Sequence, residues 1–413
     1  MSLRLTIDEL GAQGDGVAHG PAGPVYIPFA LPGEEITAHV EKTRGALISI
    51  EKPSPLRVAP SSPHFGVCGG CSVQHLAPAA YAEWKREKVV RALQSRGLEA
   101  QVEPLVLCPP ASRRRVTFTG RAAGGRVLLG FNAAQSHRIV EIEECPIAVP
   151  QIVSALPDLR ALAGLIGTGP KPFHLTVTAT RTGLDIAVDG SGPLSEKRRQ
   201  RALELVLASG FARLSVGGDV LVEREKPVVL FGNVPVAIPP GGFLQATEQA
   251  EEAMATLVRM HLEGVKHVAD LFAGSGTFAL RLARAARVHA VEGEAGALAA
   301  LKEGAKRATD LKPVTMEKRD LFNRPLLVKE LERFDGLVFD PPRAGAEAQC
   351  RQLARSPVRS VAAVSCNPGT LARDLSILVE GGYRITRVTP IDQFLWSPHV
   401  EVVALLERGK ERG

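Results

Sequence analysis

The chain has 413 residues, 45% hydrophobic and 23% charged, which is enough for two or three domains with separate cores. Its net charge of +6 weakly favours an anionic partner such as nucleic acid. The opening MSLRLTIDEL has no basic region followed by an apolar one, and no apolar run approaches a membrane span, so a soluble cytoplasmic protein is the expectation.

Residues 1–57 alternate short β-like runs with glycine-rich turns, which predicts a small β-barrel. Residues 1–60 carry five Lys/Arg against seven Asp/Glu, whereas residues 81–130 carry ten against four. The basic stretch holds Lys85, Arg86, Lys88 and the run Arg113, Arg114, Arg115. A charge run of this kind is either a solvated face or a phosphate-contacting surface. A proline-rich linker, PSPLRVAPSSP, leads to a compact cysteine-bearing region and a helical pattern over 79–97. Residues 58–238 as a whole read as a central α+β domain.

From residue 239 apolar strand runs alternate with amphipathic helices, the pattern of an α/β doubly wound domain with parallel strands over 239–413. The last two strand patterns, YRITRVTPID and HVEVVALLE, have no helix between them, so the second is expected to pair antiparallel at the end of the sheet.

Chemistry concentrates in this last region. The segment Asp270 to Thr277 turns from strand to helix, and its Gly274 and Gly276 let backbone approach a ligand while helix amides point at it. Glu292 ends the next strand, where a carboxylate accepts hydrogen bonds from two ribose hydroxyls. These features alone fit a nicotinamide dinucleotide as well as S-adenosylmethionine. Further on, Asp320 is placed to read an adenine edge, and Asp340-Pro341-Pro342-Arg343 lies where open α/β sheets bind ligands. A methyltransferase has a use for that loop beside the methyl group; a dehydrogenase has none.

Six cysteines, at 68, 71, 108, 145, 350 and 366, do not make a disulfide framework, and the closely spaced ones suggest metal or catalysis. Cys366 ends a strand and opens a helix, where a helix N-terminus lowers a thiol pKa from about 8.5 towards neutrality. The alternative for any free cysteine is a small buried hydrophobe, and Cys350, inside a helical pattern, is assigned to it. A thiolate nucleophile suits a pyrimidine: addition at uracil C6 makes C5 nucleophilic, and a general base must then remove the C5 proton. Glu401 is the candidate base.

Taken together, Phe243-Leu244-Gln245, Asp270 to Thr277, Val291-Glu292-Gly293, Asp320, Asp340 to Gly345, Ser365-Cys366-Asn367-Pro368 and Asp392 to Glu401 resemble the RNA uridine-C5 methyltransferase family. The resemblance implies S-adenosylmethionine as cofactor, with Gln245, Phe272, Gly274, Gly276, Thr277, Glu292, Asp320 and Asp340 lining its pocket and that of the base. It likewise makes Cys366 the nucleophile and Glu401 the base. Thr277 stands where the family frequently has Asn, and Phe394-Leu395-Trp396-Ser397 replaces a segment that usually begins Phe-Pro.

Residues 1–57 resemble the family's TRAM barrel, and Arg113–Arg115, Gly130-Phe131 and Glu144-Cys145-Pro146 resemble its central RNA-binding domain. Cys68, Cys71 and Cys145 match three ligands of the family's 4Fe–4S cluster, but the first ligand position falls on Ser62, leaving the fourth ligand open. The implied partner is RNA presenting a flipped-out uridine, with 23S ribosomal RNA ahead of transfer RNA. Two readings compete with this one: a nicotinamide-dependent oxidoreductase, and a catalytically silent RNA-binding or iron–sulfur module.

Overall fold

The computed structural model describes residues 2–20, 23–167, 169 and 171–409. The first six strands, Ser2–Thr6, Glu9–Leu10, Gly16–Gly20, Gly23–Ile27, Glu35–Glu41 and Arg44–Lys52, form one sheet. Its buried face carries Ile7, Ala18, Val25, Ile27, Ile36 and Ala38. The proline-rich segment after it is tied down. The fully buried Glu34 carboxylate accepts from Arg57 Nε at 2.6 Å and Nη2 at 2.9 Å, and from the backbone amides of Leu31 and Ser54.

A seven-stranded sheet follows, built mainly from Arg115–Ala123, Arg126–Asn132, Phe173–Thr180, Gly183–Asp189 and Arg213–Val216. Helices Leu156–Ile166 and Glu196–Ser209 cover it, through Leu159, Leu162 and Ile166 on one and Ala202 and Val206 on the other. This is the α+β pattern expected of the middle of the chain.

The carboxyl-terminal sheet runs Val314–Lys318, Arg287–Glu292, His267–Leu271, Gly336–Phe339, Ser360–Ser365, Glu401–Arg408, Tyr383–Ile391. The first five strands are parallel, with apolar cores on both faces. The final strand is antiparallel as expected, but it does not lie at the end of the sheet: it is inserted between Ser360–Ser365 and Tyr383–Ile391. Burial explains the difference. Glu401 to Leu406 are all buried, which suits a strand flanked on both sides, whereas Tyr383–Ile391 exposes Arg384, Thr386 and Arg387 and tolerates the edge.

Two earlier pieces of chain pack into this last unit. The hairpin Val228–Phe231/Val234–Ala237 contributes Phe231 and Val236 to one core. Helix Pro78–Gln94 contributes Val89 and Leu93 to the other. That helix also buries Lys85, whose Nζ pairs with Asp392 and donates to Phe394 O at 2.9 Å. The Tyr81 hydroxyl reaches both Asp392 oxygens, at 2.9 and 2.8 Å. Among the described residues no helix is long and apolar enough to cross a membrane.

Removing one partner of a buried ion pair strands the other in low dielectric. Lys85→Ala should therefore cost about 3–5 kcal/mol in urea unfolding. The double variant Lys85→Met/Asp392→Leu should recover much of that loss, because no uncompensated charge remains. A Lys85→Ala protein as stable as the parent would show that the pair contributes nothing.

Candidate active site

Three neighbouring strand ends build one wall. After strand His267–Leu271 the chain turns through Phe272, with φ +60°, Gly274, with φ +55°, and Gly276, with φ +107°. Only glycine fits at 276, because a Cβ there would lie 2.5 Å from Leu301 Cδ1. Glu292, ending strand Arg287–Glu292, accepts from Gly274 N and Glu294 N, both at 2.8 Å, which holds its carboxylate against the glycine turn. Phe272 packs against Phe322 with ring centroids 5.5 Å apart. Between them in the chain, Asp320 accepts from Phe322 N at 3.0 Å and from Asn323 Nδ2 at 2.6 Å. Thr277 lies just past the glycines, its carbonyl accepting from Arg281. An oriented carboxylate, an aromatic pair and an open glycine turn at the carboxyl ends of parallel strands suit an adenosine-bearing cofactor. The sequence-predicted residues Phe272, Gly274, Gly276, Thr277, Glu292 and Asp320 thus come together.

The second wall holds two carboxylates and a thiol. Asp340, at the end of strand Gly336–Phe339, accepts from Gln245 Nε2 at 2.8 Å. Burial pushes its carboxyl up to about 7. Glu401 opens the final strand, and burial, reinforced by Asp340, holds its carboxyl well above the usual range. Gln393 lies between, donating from Nε2 to Gln245 Oε1 and to Glu401 Oε2, both at 2.8 Å.

Cys366 follows strand Ser360–Ser365, one residue before Asn367 caps helix Pro368–Glu380 by accepting from Gly369 N at 3.1 Å. The thiol is half-buried, and its pKa corrects the sequence expectation. Burial raises it, the Glu401 and Asp340 carboxylates raise it further, and the Arg343 guanidinium opposes them. Desolvation and two nearby carboxyls thus act against the helix terminus. Arg343 is itself fixed on both sides. Its carbonyl accepts from Asn367 Nδ2 and Thr370 Oγ1 at 3.2 Å, and its Nη2 lies 2.7 Å from His399 Nδ1. Burial, with Arg343, Lys88 and other cations nearby, pushes His399 down to about 4, so the ring is neutral and accepts from the guanidinium.

Cys366, Arg343, Asn367 and His399 face a cleft of about 860 Å³. Its opposite wall comes from the first sheet and helix Pro78–Gln94, through Glu9, Gln13, Trp84, Lys88 and Arg91. Gln393, His399 and Tyr81 were not singled out in the sequence, and Lys85 was read only as part of a basic stretch. The available signal was their position: Gln393 and His399 are polar residues within the short Asp392 to Glu401 motif.

The basic run serves the interior more than the surface. Arg114 is buried in a pair with Glu251, which also pairs with Arg281 at 2.8 Å, and Arg113 lies 5.8 Å from the Phe394 ring centre. Lys88 Nζ donates to the carbonyls of Ala12 and Pro398.

The cysteine set stays one ligand short. Ser62, Cys68, Cys71 and Cys145 line one cavity of about 290 Å³, but among the described residues no three His, Cys, Asp or Glu stand close enough to hold a metal ion. Cys108 is buried elsewhere, accepting from Thr247 Oγ1 at 3.5 Å. Ser62 Oγ, at the missing ligand's position, accepts from His64 N at 3.2 Å, and burial holds the Cys71 thiol up at about 12. Three thiols and an engaged serine hydroxyl leave the donor set one thiolate short of the four of a 4Fe–4S cluster.

Comparison with known proteins agrees with this geometry. The family described as tRNA (Uracil-5-)-methyltransferase matches residues 237–409. The chain is 57% identical to an RNA methyltransferase of Mesorhizobium japonicum, over all of both chains. It is 33% identical to the 23S rRNA (uracil(1939)-C(5))-methyltransferase RlmD of Chromohalobacter salexigens, covering 99% of this chain and 90% of that one. The crystal structure of Pyrococcus abyssi tRNA (uracil-54, C5)-methyltransferase in complex with S-adenosyl-L-homocysteine superposes with a TM-score of 0.74 at 25% identity, covering 98% of this chain and 100% of the other. The carboxyl-terminal sheet is accordingly a class I methyltransferase fold, and the chain belongs to the RNA uracil-C5 methyltransferase family and is an RNA methyltransferase.

Proposed function

We propose that the protein methylates C5 of a uridine in 23S ribosomal RNA, in the cytoplasm, through a covalent bond between Cys366 and uracil C6. The observation that carries this reading is that the Cys366 thiol and Arg343 face a cleft of about 860 Å³, with the buried Asp340 and Glu401 carboxyls close enough to act on the thiol. S-adenosylmethionine, when bound, supplies an electrophilic methyl group. Glu292, Phe272, Thr277, Asp320 and the turn at Gly274 and Gly276 would hold it, with Gln245 and Asp340 between cofactor and base. Cys366, as thiolate, adds to C6 and Arg343 favours its ionised form. Glu401 afterwards takes the C5 proton, and the thiolate is expelled. Residues 1–57 act as a TRAM-like barrel walling the cleft, residues 58–238 as the central RNA-binding region and residues 239–413 as the methyltransferase domain, to which helix Pro78–Gln94 and the hairpin Val228–Phe231/Val234–Ala237 add from the central stretch.

Full-length identity to a 23S rRNA enzyme supports ribosomal RNA, while the archaeal structure named for tRNA uridine 54 keeps transfer RNA as the second reading. Mapping 5-methyluridine in both RNA pools of a deletion strain separates them. Loss from 23S RNA alone is expected; loss from transfer RNA alone would reverse the assignment.

The chemistry is tested by trapping. RNA carrying 5-fluorouridine should form a stable adduct in the presence of S-adenosylmethionine, and Cys366→Ala should form none. Because the thiol is raised, the thiolate fraction grows with pH, so the trapping rate should climb from neutral into alkaline solution. Arg343→Met should displace that climb to still higher pH. A flat profile would mean a thiol already ionised in the free enzyme.

No iron–sulfur cluster enters the proposal. Iron and sulfide in anaerobically purified protein should be far below one cluster per chain, and Ser62→Cys should raise both by completing the thiol set. Stoichiometric iron in the unaltered protein would refute this.

A further inference from the structure

Gln393 is buried, and both donors and the carbonyl oxygen of its side-chain amide are engaged. Its Oε1 accepts from Ala246 N at 2.8 Å, and its Nε2 donates to Gln245 Oε1 and Glu401 Oε2, each at 2.8 Å. A backbone amide can only donate, so Ala246 decides which end of the Gln393 amide is oxygen. The NH₂ group must then face Glu401. Gln245 continues the chain by donating from Nε2 to Asp340 Oδ2 at 2.8 Å. Two neutral amides therefore span two buried carboxyls, and their direction is set by one main-chain N–H.

The consequence falls on Glu401. Its Oε2 is held, whereas its Oε1 is buried with no hydrogen-bond partner in the protein. Buried polar atoms are nearly always paired, and an exception on a carboxyl beside the Cys366 thiol points to an atom kept free for the substrate. We propose that Gln393 is the positioning residue of the general base: by holding Glu401 Oε2 it presents Oε1 as the oxygen that takes the proton from uracil C5. This rests on the reading of Glu401 as the base. In that step the C5–H bond breaks and the proton passes to Oε1. The electron pair forms the C5–C6 double bond, the C6–S bond breaks, and Cys366 leaves as thiolate. Gln393 touches none of the reacting atoms and acts only through Glu401.

The step occurs after thiol addition and methyl transfer, which separates positioning from general packing. Gln393→Met removes both donors at similar volume, and Gln393→Glu keeps the shape while replacing the NH₂ group. With transcribed 23S RNA carrying 5-fluorouridine, both variants should still form the adduct, with trapping slowed far less than product release from ordinary RNA, because trapping needs no base. With ordinary uridine RNA, product release should slow by at least about tenfold and a methylated covalent adduct should accumulate. Glu401→Gln provides the reference for complete loss of the base. Trapping and release slowed in parallel in both variants, or unchanged release in either folded variant, would overturn the role of Gln393. Normal release by Glu401→Gln would instead overturn the reading of the base, and absence of trapping by the parent protein would overturn the covalent mechanism.

Discussion

Asp392 is the point at which the chain's distant parts are joined. A carboxylate with no exposure is costly unless its lone pairs are filled, and here Tyr81 reaches both oxygens while Lys85 reaches one. The same two side chains then extend to the segment that follows: Lys85 donates to Phe394 O, and the Tyr81 hydroxyl accepts from Trp396 N at 2.8 Å. Trp396, in a left-handed conformation with φ +56°, is further held through its carbonyl by Ser72 N and Val73 N. A helix and a cysteine-bearing loop from the first quarter of the chain thereby shape the segment that delivers Gln393, His399 and Glu401.

The site this segment completes is acidic and enclosed. Asp340, Glu401 and Cys366 each bear a group whose charged form burial disfavours, and the carboxyls raise the thiol further. Amides separate the carboxyls where cations could have stood, and Arg343 lies on the side of the thiol. Such a pocket holds protons when free. The proposed nucleophile and the proposed base are both tuned by partners that come from other strands and loops.

The basic stretch and the cysteine set show how composition misleads about use. Arg114 and Lys85 are spent inside, on Glu251 and Asp392, so a run that reads as a phosphate surface is partly an internal cross-brace. Ser62 is a single-residue departure, yet it turns a ligand position into a turn-stabilising acceptor. The loop beside the segment Asp392 to Glu401 is instead pinned by main-chain bonds and by packing of Phe29, Phe65 and His75.

Local order alone was sufficient for much of this protein. The strand–helix alternation after residue 239, the glycine turn, Glu292, the Asp-Pro-Pro-Arg loop and Cys366 at a strand end all follow from short-range pattern, because each depends on residues within one turn or one strand of itself. What only the tertiary structure decided is long-range. The inward placement of the last strand, the upward shift of the Cys366 thiol, the Gln245–Gln393 bridge and the Lys85–Asp392 pair each join residues far apart in the chain, the last pair by 307 positions. Charge, burial and hydrogen-bond direction are properties of the surroundings, and those surroundings exist only once the chain has folded.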